Sequence, residues 1–221
     1  MSGESPVVFV VDDDASVRRA LVRRLHVAGF GVEEFASAQE FLDRGRPSEL
    51  GCLVLDVRMP GLDGLGLQDA LAAAGMDIPI VFLTGHGSVP LSVEAMKGGA
   101  VDFLEKSVPS QTLLDAVRNA IERHRRLRQE AADSGNARER LAALTPRERE
   151  IVELVVAGLL NKQIALRLSI AERTVKLHRA HAMEKLGART TADLVRSATR
   201  AGVAASPAQR AGDESPAGPG A

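Results

Sequence analysis

The chain predicts a doubly wound parallel α/β domain followed by an all-α domain. Three observations carry that prediction. In about the first 120 residues, apolar runs of strand length alternate five times with segments of helical spacing, the signature of a parallel sheet with crossover helices. The remainder keeps only the helical spacing, with a short turn between two of its helices. The charge also reverses: residues 1–122 hold 10 Lys/Arg against 18 Asp/Glu, and residues 146–200 hold 11 against 6.

Val7–Val11 is a β-branched run closed by Asp12, Asp13 and Asp14. From Ser16 the spacing turns helical, with Val17, Leu21, Leu25 and Ala28 three or four residues apart until Gly29. Val32–Phe35 reads as a second strand and Ala38–Leu42 as a short helix. Cys52–Asp56 is an apolar strand ending in one carboxylate, after which Met59-Pro60-Gly61 turns the backbone away. Leu65, Leu67, Leu71 and Ala74 mark a helix stopped at Gly75. Ile80–Leu83 ends in Thr84, Val89–Met96 is helical, and Val101–Leu104 ends near Lys106. Leu113, Val117, Ala120 and Ile121 mark a fifth helix, which runs into the solvated basic segment Arg123–Arg128.

Asp133-Ser134-Gly135-Asn136 predicts a break. The expected division is therefore a first domain over 6–123, a linker over 124–141, a second domain over 142–203 and a tail over 204–221. Pro, Gly and Ala dominate that tail, which is expected to be disordered.

In the second domain, Thr145-Pro146-Arg147-Glu148 combines a capping threonine, proline at the first helical position and an acid in the first turn. Ile151, Leu154 and Val155 form the apolar stripe, and Gly158 ends the helix. Asn161 opens a short helix carrying Ile164 and Leu168, Ser169-Ile170-Ala171 forms a turn, and another helix starts near Glu172. That third helix turns Val175, Ala182 and Leu186 inward. Arg173, Lys176, Leu177, Ala180, His181 and Glu184 fall on or beside the opposite face. Such a face suits a major groove, with Lys176 donating to guanine and Leu177 or Ala180 touching a thymine methyl. Lys162 and Thr174, near helix N-termini, suit phosphate contacts.

Composition narrows the function classes. No run of about 18 apolar residues exists, so no transmembrane helix is expected. Met1–Pro6 lacks the basic and apolar regions of a signal peptide. The single cysteine, Cys52, cannot form an internal disulfide and reads as a buried hydrophobe, which fits a reducing cytoplasm. Trp and Tyr are absent, which argues against stacking on single-stranded bases. An acidic half joined to a basic half suggests a cation for the first and nucleic acid for the second.

The alternating pattern places Asp12, Asp13, Asp56, Thr84 and Lys106 at or just beyond the C-terminal ends of the first, third, fourth and fifth strands, the edge where open α/β sheets bind ligands. Clustered carboxylates repel one another unless a hard cation sits among them, and Mg²⁺ accepts few carboxylates alongside waters and phosphate oxygens. Asp56 is then the expected phosphoryl acceptor, with Lys106 and Thr84 stabilising phosphoryl oxygens. A haloacid-dehalogenase-type nucleophile would show Asp-x-Asp; Asp56-Val57-Arg58 does not.

Val11-Asp12-Asp13-Asp14, Asp56-Val57-Arg58-Met59-Pro60, Thr84-Gly85-His86-Gly87 and Phe103-Leu104-Glu105-Lys106 resemble the receiver domain of bacterial two-component response regulators over roughly Val7 to Arg123. The resemblance implies a flavodoxin-like doubly wound sheet, Asp56 as phosphoacceptor and a histidine kinase as donor. It implies Mg²⁺ on Asp13, Asp56 and the backbone carbonyl of Arg58, with Asp12 acting through water. It also implies Phe103 as the aromatic partner of Thr84 in a switch, and Val89–Glu105 as a dimer face. Family members commonly carry proline after this lysine, often with a cis bond; here Ser107 stands there. Either a strained bond costing about 3–4 kcal/mol is kept, or the loop is trans and Lys106 sits differently.

Leu144–Glu150, Ala157-Gly158, Asn161–Ala165 and Arg173–His178 are similar to the LuxR-type helix-turn-helix over about Leu141 to Gly202. That similarity implies a four-helix domain whose last helix, about Thr191–Ala201, pairs domains on DNA. Together the two halves resemble FixJ-like transcriptional regulators. The implied function is phosphorylation-dependent binding of double-stranded promoter DNA, as a homodimer when phosphorylated, with activation favoured over repression and RNA polymerase as a further partner. Beyond its own phosphoryl transfer and dephosphorylation, no enzymatic activity is expected. Two rivals come from other classes. A phosphorylation-insensitive scaffold has Ser107 as its sequence support, and a magnesium-dependent phosphatase would need a second catalytic acid.

Overall fold

The computed structural model describes residues 5–85 and 89–204. The chain divides into two compact units, Met1–Gln129 and Glu130–Ala221. The first contains β1 (Val7–Val11), α1 (Ala15–Val27), β2 (Gly31–Phe35), α2 (Ala38–Arg44) and β3 (Gly51–Asp56). Then follow α3 (Gly64–Ala73), β4 (Ile80–Thr84), α4 (Val89–Lys97), β5 (Asp102–Glu105) and the start of α5 (Ser110–Ala142).

The five strands form one parallel sheet in the order β2-β1-β3-β4-β5. Strand order reverses between β1 and β3, so the crevice at their C-terminal tips is the expected ligand position of a doubly wound sheet. The period-2 alternation of a strand loads both faces. Val8, Val10, Cys52, Val54, Val81 and Leu83 pack on Leu21 and Leu25 of α1 and Leu113 and Val117 of α5. On the opposite face Phe9, Leu53, Leu55 and Phe82 pack on Phe41 of α2, Leu67 and Leu71 of α3 and Ala95 of α4. Both layers are close to fully buried, which makes the sheet a rigid base for whatever its tips carry.

Side-chain caps fix where the helices begin. Asp14 accepts from the amides of Ser16 and Val17, Ser37 from Glu40, and Asp63 from Gly66. These satisfy donors that a helix start leaves unpaired.

The second unit contains α6 (Pro146–Val156), α7 (Asn161–Arg167), α8 (Glu172–Leu186) and α9 (Thr191–Arg200). Ile151, Val152, Ile164, Val175, Ala182, Leu194 and Ala198 form its fully buried centre, joined by Leu141 and Leu144. Thr145 and Glu148 make the capping box that starts α6.

The break expected at Asp133-Ser134-Gly135-Asn136 does not occur: α5 is one helix of 33 residues passing through it, and the stretch 124–141 expected as a linker is helical throughout. Helix propensity is a weak prior, with glycine costing about 1 kcal/mol relative to alanine, and burial overrides it here. Ala137, one turn further on, is buried, and Leu141, two turns on, is buried in the second core; both reward continued helix. The tail expected to be disordered lies outside the described residues except for Ala204, as do His86 and Gly87 of the fourth-strand motif. Among the described residues, no helix is long and apolar enough to cross a membrane.

Candidate functional site

The parallel register explains why the acidic residues meet. Val11 pairs with Leu55, so Asp12 and Asp56 occupy the next level of neighbouring strands. Asp56 in turn is paired with Leu83, and Thr84 with Glu105, so Thr84 and Lys106 each extend one residue further. Carboxylate oxygens of Asp12, Asp13 and Asp56 all lie within 4.8 Å of one another. Lys106 Nζ is 2.7 Å from Asp12 Oδ2 and 2.7 Å from Asp56 Oδ2. The sheet edge thus gathers three carboxylates, two of them paired with one ammonium.

Burial differs sharply among them. Asp12 and Thr84 are almost completely buried, Asp56 nearly so, and Asp13 is exposed. Asp12 Oδ1 accepts from the Asp14 amide at 2.9 Å, while its buried Oδ2 is in ion-pair range of Lys106 but has no directed hydrogen bond. Burial raises the Asp12 carboxyl above its ordinary range, against the opposing pull of Lys106 and the Asp14 amide. Lys106 loses hydration by burial, yet its pairing with Asp12 and Asp56 outweighs that loss and raises its pKa. An all-oxygen donor set with a buried, hydrogen-bond-free carboxylate oxygen fits a hard divalent cation such as Mg²⁺.

The backbone around the site is tightly specified. The Arg58 amide donates to Asp56 Oδ1 at 3.3 Å, and the Lys106 amide to the Thr84 carbonyl at 2.8 Å. No cis peptide bond occurs among the described residues, so Lys106–Ser107 is trans, and the lysine reaches both carboxylates nonetheless. Of the two alternatives left open by Ser107, the loop is the trans one. Phe103, half-buried, lies 6.0 Å from Phe82 between ring centroids.

Two further residues belong to this corner and escape motif reading. A Cβ at Gly64 would lie 2.3 Å from the Asp56 carbonyl oxygen, so only glycine lets α3 start against the strand tip. Arg18, one turn into α1, donates from Nη1 to the Asp12 carbonyl at 2.6 Å and the Asp13 carbonyl at 3.1 Å. The only sequence signal for Arg18 is its position one helical turn after Asp14.

In the second unit α7 and α8 form the helix-turn-helix, joined through Ser169, the one non-glycine residue with positive φ (52°) among those described. Val175, Ala182 and Leu186 point inward as expected, while Lys162, Arg173, Lys176 and His181 are exposed and Thr174 is half-buried. Leu177 is 54% exposed, a large apolar side chain left facing water. Lys176 pairs with Glu172 at 3.0 Å. Arg179, not singled out by the face pattern, donates to Asn161 Oδ1 at 2.9 Å and to Thr191 Oγ1, tying the starts of α7 and α9 to α8. Glu148 joins α6 to α8 through Lys185 at 2.7 Å.

Comparison with known proteins covers both units. Residues 8–118 match the response regulator receiver domain, and residues 142–198 match the luxR family of bacterial regulatory proteins. Nodulation protein W of Bradyrhizobium diazoefficiens is 48% identical over 199 residues, spanning 90% of this chain and 88% of that protein. Transcriptional regulatory protein FixJ of Azorhizobium caulinodans is 47% identical over 202 residues, 91% of this chain and 95% of that one. The solved structure of response regulator StyR shares 47% identity at a TM-score of 0.77, covering 89% of this chain and all of that one. With an acidic sheet edge of receiver type, a helix-turn-helix, and relatives matched along about nine-tenths of its length, the chain belongs to the FixJ-like response regulators, the DNA-binding transcription regulators of two-component systems.

Proposed function

We propose that Asp56 takes a phosphoryl group from the phosphohistidine of a histidine kinase, and that this modification governs how the C-terminal helices engage promoter DNA. The observation that supports the reading is the convergence of Asp12, Asp13 and Asp56 at one sheet edge, with Lys106 paired to Asp12 and Asp56. An Asp56 carboxylate oxygen attacks phosphorus in line, and the bond from phosphorus to the donor imidazole breaks. Lys106, already held at the tip of β5, exchanges part of its pairing with Asp56 for a phosphoryl oxygen. The Thr84 hydroxyl meets another. Asp13, Asp56 and the carbonyl of Arg58 would hold Mg²⁺, with Asp12 acting through water. When bound, the ion offsets repulsion between these carboxylates and the phosphoryl oxygens.

Movement of Thr84 toward the phosphate frees the space that Phe103 turns into, biasing the surface of α4 and β5 between two states. Val89, Val93 and Met96 are exposed at 77%, 45% and 46%, an apolar stripe that supports pairing of that surface with a second copy. A dimer brings two helix-turn-helix units to linked half-sites, which reinforces binding without new contacts. On DNA, Lys162 and Thr174 meet phosphates, while Arg173, Lys176, Leu177 and His181 reach base edges. In this reading the protein works in the cytoplasm, activates transcription with RNA polymerase as a further partner, and catalyses nothing beyond its own phosphoryl transfer and dephosphorylation.

The test is intact mass after incubation with Mg²⁺ and acetyl phosphate, with light scattering alongside and Asp56→Asn as control. A Mg²⁺-dependent phosphate adduct, absent in the variant and accompanied by a doubled mass in solution, is the expected result. Absence of the adduct, also with a phosphorylated histidine kinase as donor, would move the chain to the scaffold reading.

A further inference from the structure

We infer that Arg18 is a positioning residue for the acidic pair, aiming the Asp13 carboxylate at the cation site by clamping the backbone on either side of it. This rests on the metal-assisted reading of Asp56 phosphorylation. Four arginines lie on α1, and Arg19, Arg23 and Arg24 stand exposed in solvent. Arg18 does not: its side chain is only 16% exposed and folds back over the loop that joins β1 to α1. One nitrogen, Nη1, donates to two successive carbonyls, those of Asp12 and Asp13, while Nε faces Glu34 Oε2 on β2 at 3.8 Å.

The consequence follows from peptide planarity. Each carbonyl belongs to a rigid plane, and the Asp13 Cα is the hinge between the plane carrying the Asp12 carbonyl and the plane carrying its own. Holding both oxygens on one donor restrains both planes, and with them the direction in which the Asp13 side chain leaves the chain. Asp12 needs no such help, because the Asp14 amide and Lys106 hold its carboxylate directly. The Asp13 carboxylate accepts no hydrogen bond among the described residues, so the direction set by its backbone is the restraint that brings it toward the site, leaving only its rotamer to choose. Loss of a group that orients a metal ligand typically costs about 10–100-fold in metal affinity.

Electrostatics gives the experiment a sign. A guanidinium beside a cation site repels the incoming ion, so deleting its charge should by Coulomb's law tighten Mg²⁺ binding. Loss of positioning should weaken it. Full-length wild type, Arg18→Met and Arg18→Lys are titrated with Mg²⁺ by calorimetry without any phosphodonor, below the melting temperature of each. Arg18→Met is expected to bind about tenfold more weakly, with Arg18→Lys, which keeps the charge but ends one atom short of Nη1, between it and wild type. Affinity in Arg18→Met equal to or tighter than wild type overturns the proposal. Should Arg18→Met fail to fold, Arg18→Lys decides: weaker binding supports the clamp, and unchanged binding overturns it. A wild type that binds no Mg²⁺ overturns the metal reading itself and the clamp with it, an outcome distinct from equal binding by all three proteins.

Discussion

Lys106 Nζ stands 2.7 Å from Asp56 Oδ2, bridging the tips of β3 and β5 across the intervening strand. The same ammonium is 2.7 Å from Asp12 Oδ2, so one cation serves two buried carboxylates before any phosphoryl group arrives. Replacing it with methionine leaves two like charges facing each other in a site that excludes most water. The expected destabilisation is about 3 kcal/mol in the absence of divalent ions, and it should shrink markedly in saturating Mg²⁺, which supplies the missing positive charge. Urea denaturation followed by circular dichroism, with and without Mg²⁺, measures both. An equal loss in the two conditions would show that lysine and metal do not share this task.

Gly64 and Gly66 make a paired test of how closely α3 approaches the site. At Gly64 an added Cβ meets the Asp56 carbonyl oxygen at 2.3 Å and the Val57 Cα at 3.0 Å, both backbone atoms that cannot step aside. At Gly66 it meets Leu62 Cδ1 at 2.7 Å, the far end of a flexible side chain. Gly64→Ala should cost about 2 kcal/mol and slow phosphate labelling of Asp56, because either α3 or the strand tip must move. Gly66→Ala should cost less than about 1 kcal/mol and leave labelling unchanged. Equal costs for the two would mean that α3 shifts without disturbing Asp56.

Much of this arrangement is legible in the residues, and the exceptions share a cause. Asp12, Asp56, Thr84 and Lys106 follow apolar runs, and a strand with continuous apolar residues announces its own end. The inward face of α8 is equally readable, since Val175, Ala182 and Leu186 obey helical periodicity. What escapes is contact made across elements by a residue whose own neighbourhood looks ordinary. Arg18 sits among other arginines, Gly64 follows a routine capping aspartate, and Arg179 lies on a helix rich in charge. The helical course of Asp133–Asn136 escapes for the opposite reason. Every local preference there favours a turn, and burial of Ala137 and Leu141 further along decides otherwise.

Glu148 predicts an acid limit for the second unit. It is 4% exposed, and the Lys185 ammonium, followed by the amide and hydroxyl of Thr145 against the cost of burial, holds its carboxyl at about 2. A carboxyl depressed in the folded state adds stability that is complete above its unfolded value of about 4.5 and disappears as pH falls from there through about 2. The contribution near neutrality is on the order of 3 kcal/mol. Lys185→Met should therefore be clearly less stable than wild type near neutrality, with the gap narrowing at about pH 3. Guanidinium denaturation at the two pH values checks this; a gap independent of pH would assign the effect to lost packing of the lysine stem.

The pairing of Lys176 with Glu172 sets up the last prediction, which concerns DNA. The two side chains are 64% and 45% exposed, so the pair contributes no more than about 1 kcal/mol and gives way readily to a better partner. If Lys176 donates to a guanine edge, Lys176→Ala should weaken binding about tenfold on the preferred duplex and relax the preference at one base position. Glu172→Gln both releases Lys176 and removes a negative charge from the first turn of the groove-facing helix, so it should tighten binding a few-fold. The double variant separates these causes. A gain from Glu172→Gln that persists on the Lys176→Ala background is relief of repulsion with phosphate, whereas a gain that vanishes is release of the lysine. Fluorescence anisotropy on the duplex that wild type enriches from a random pool, repeated at several salt concentrations, gives affinity and salt slope together. The lysine-release account expects the gain to vanish. A Lys176→Ala loss that is uniform across all duplexes, with a shallower salt slope, would instead make Lys176 a phosphate contact and leave base reading to Arg173, Leu177 and His181.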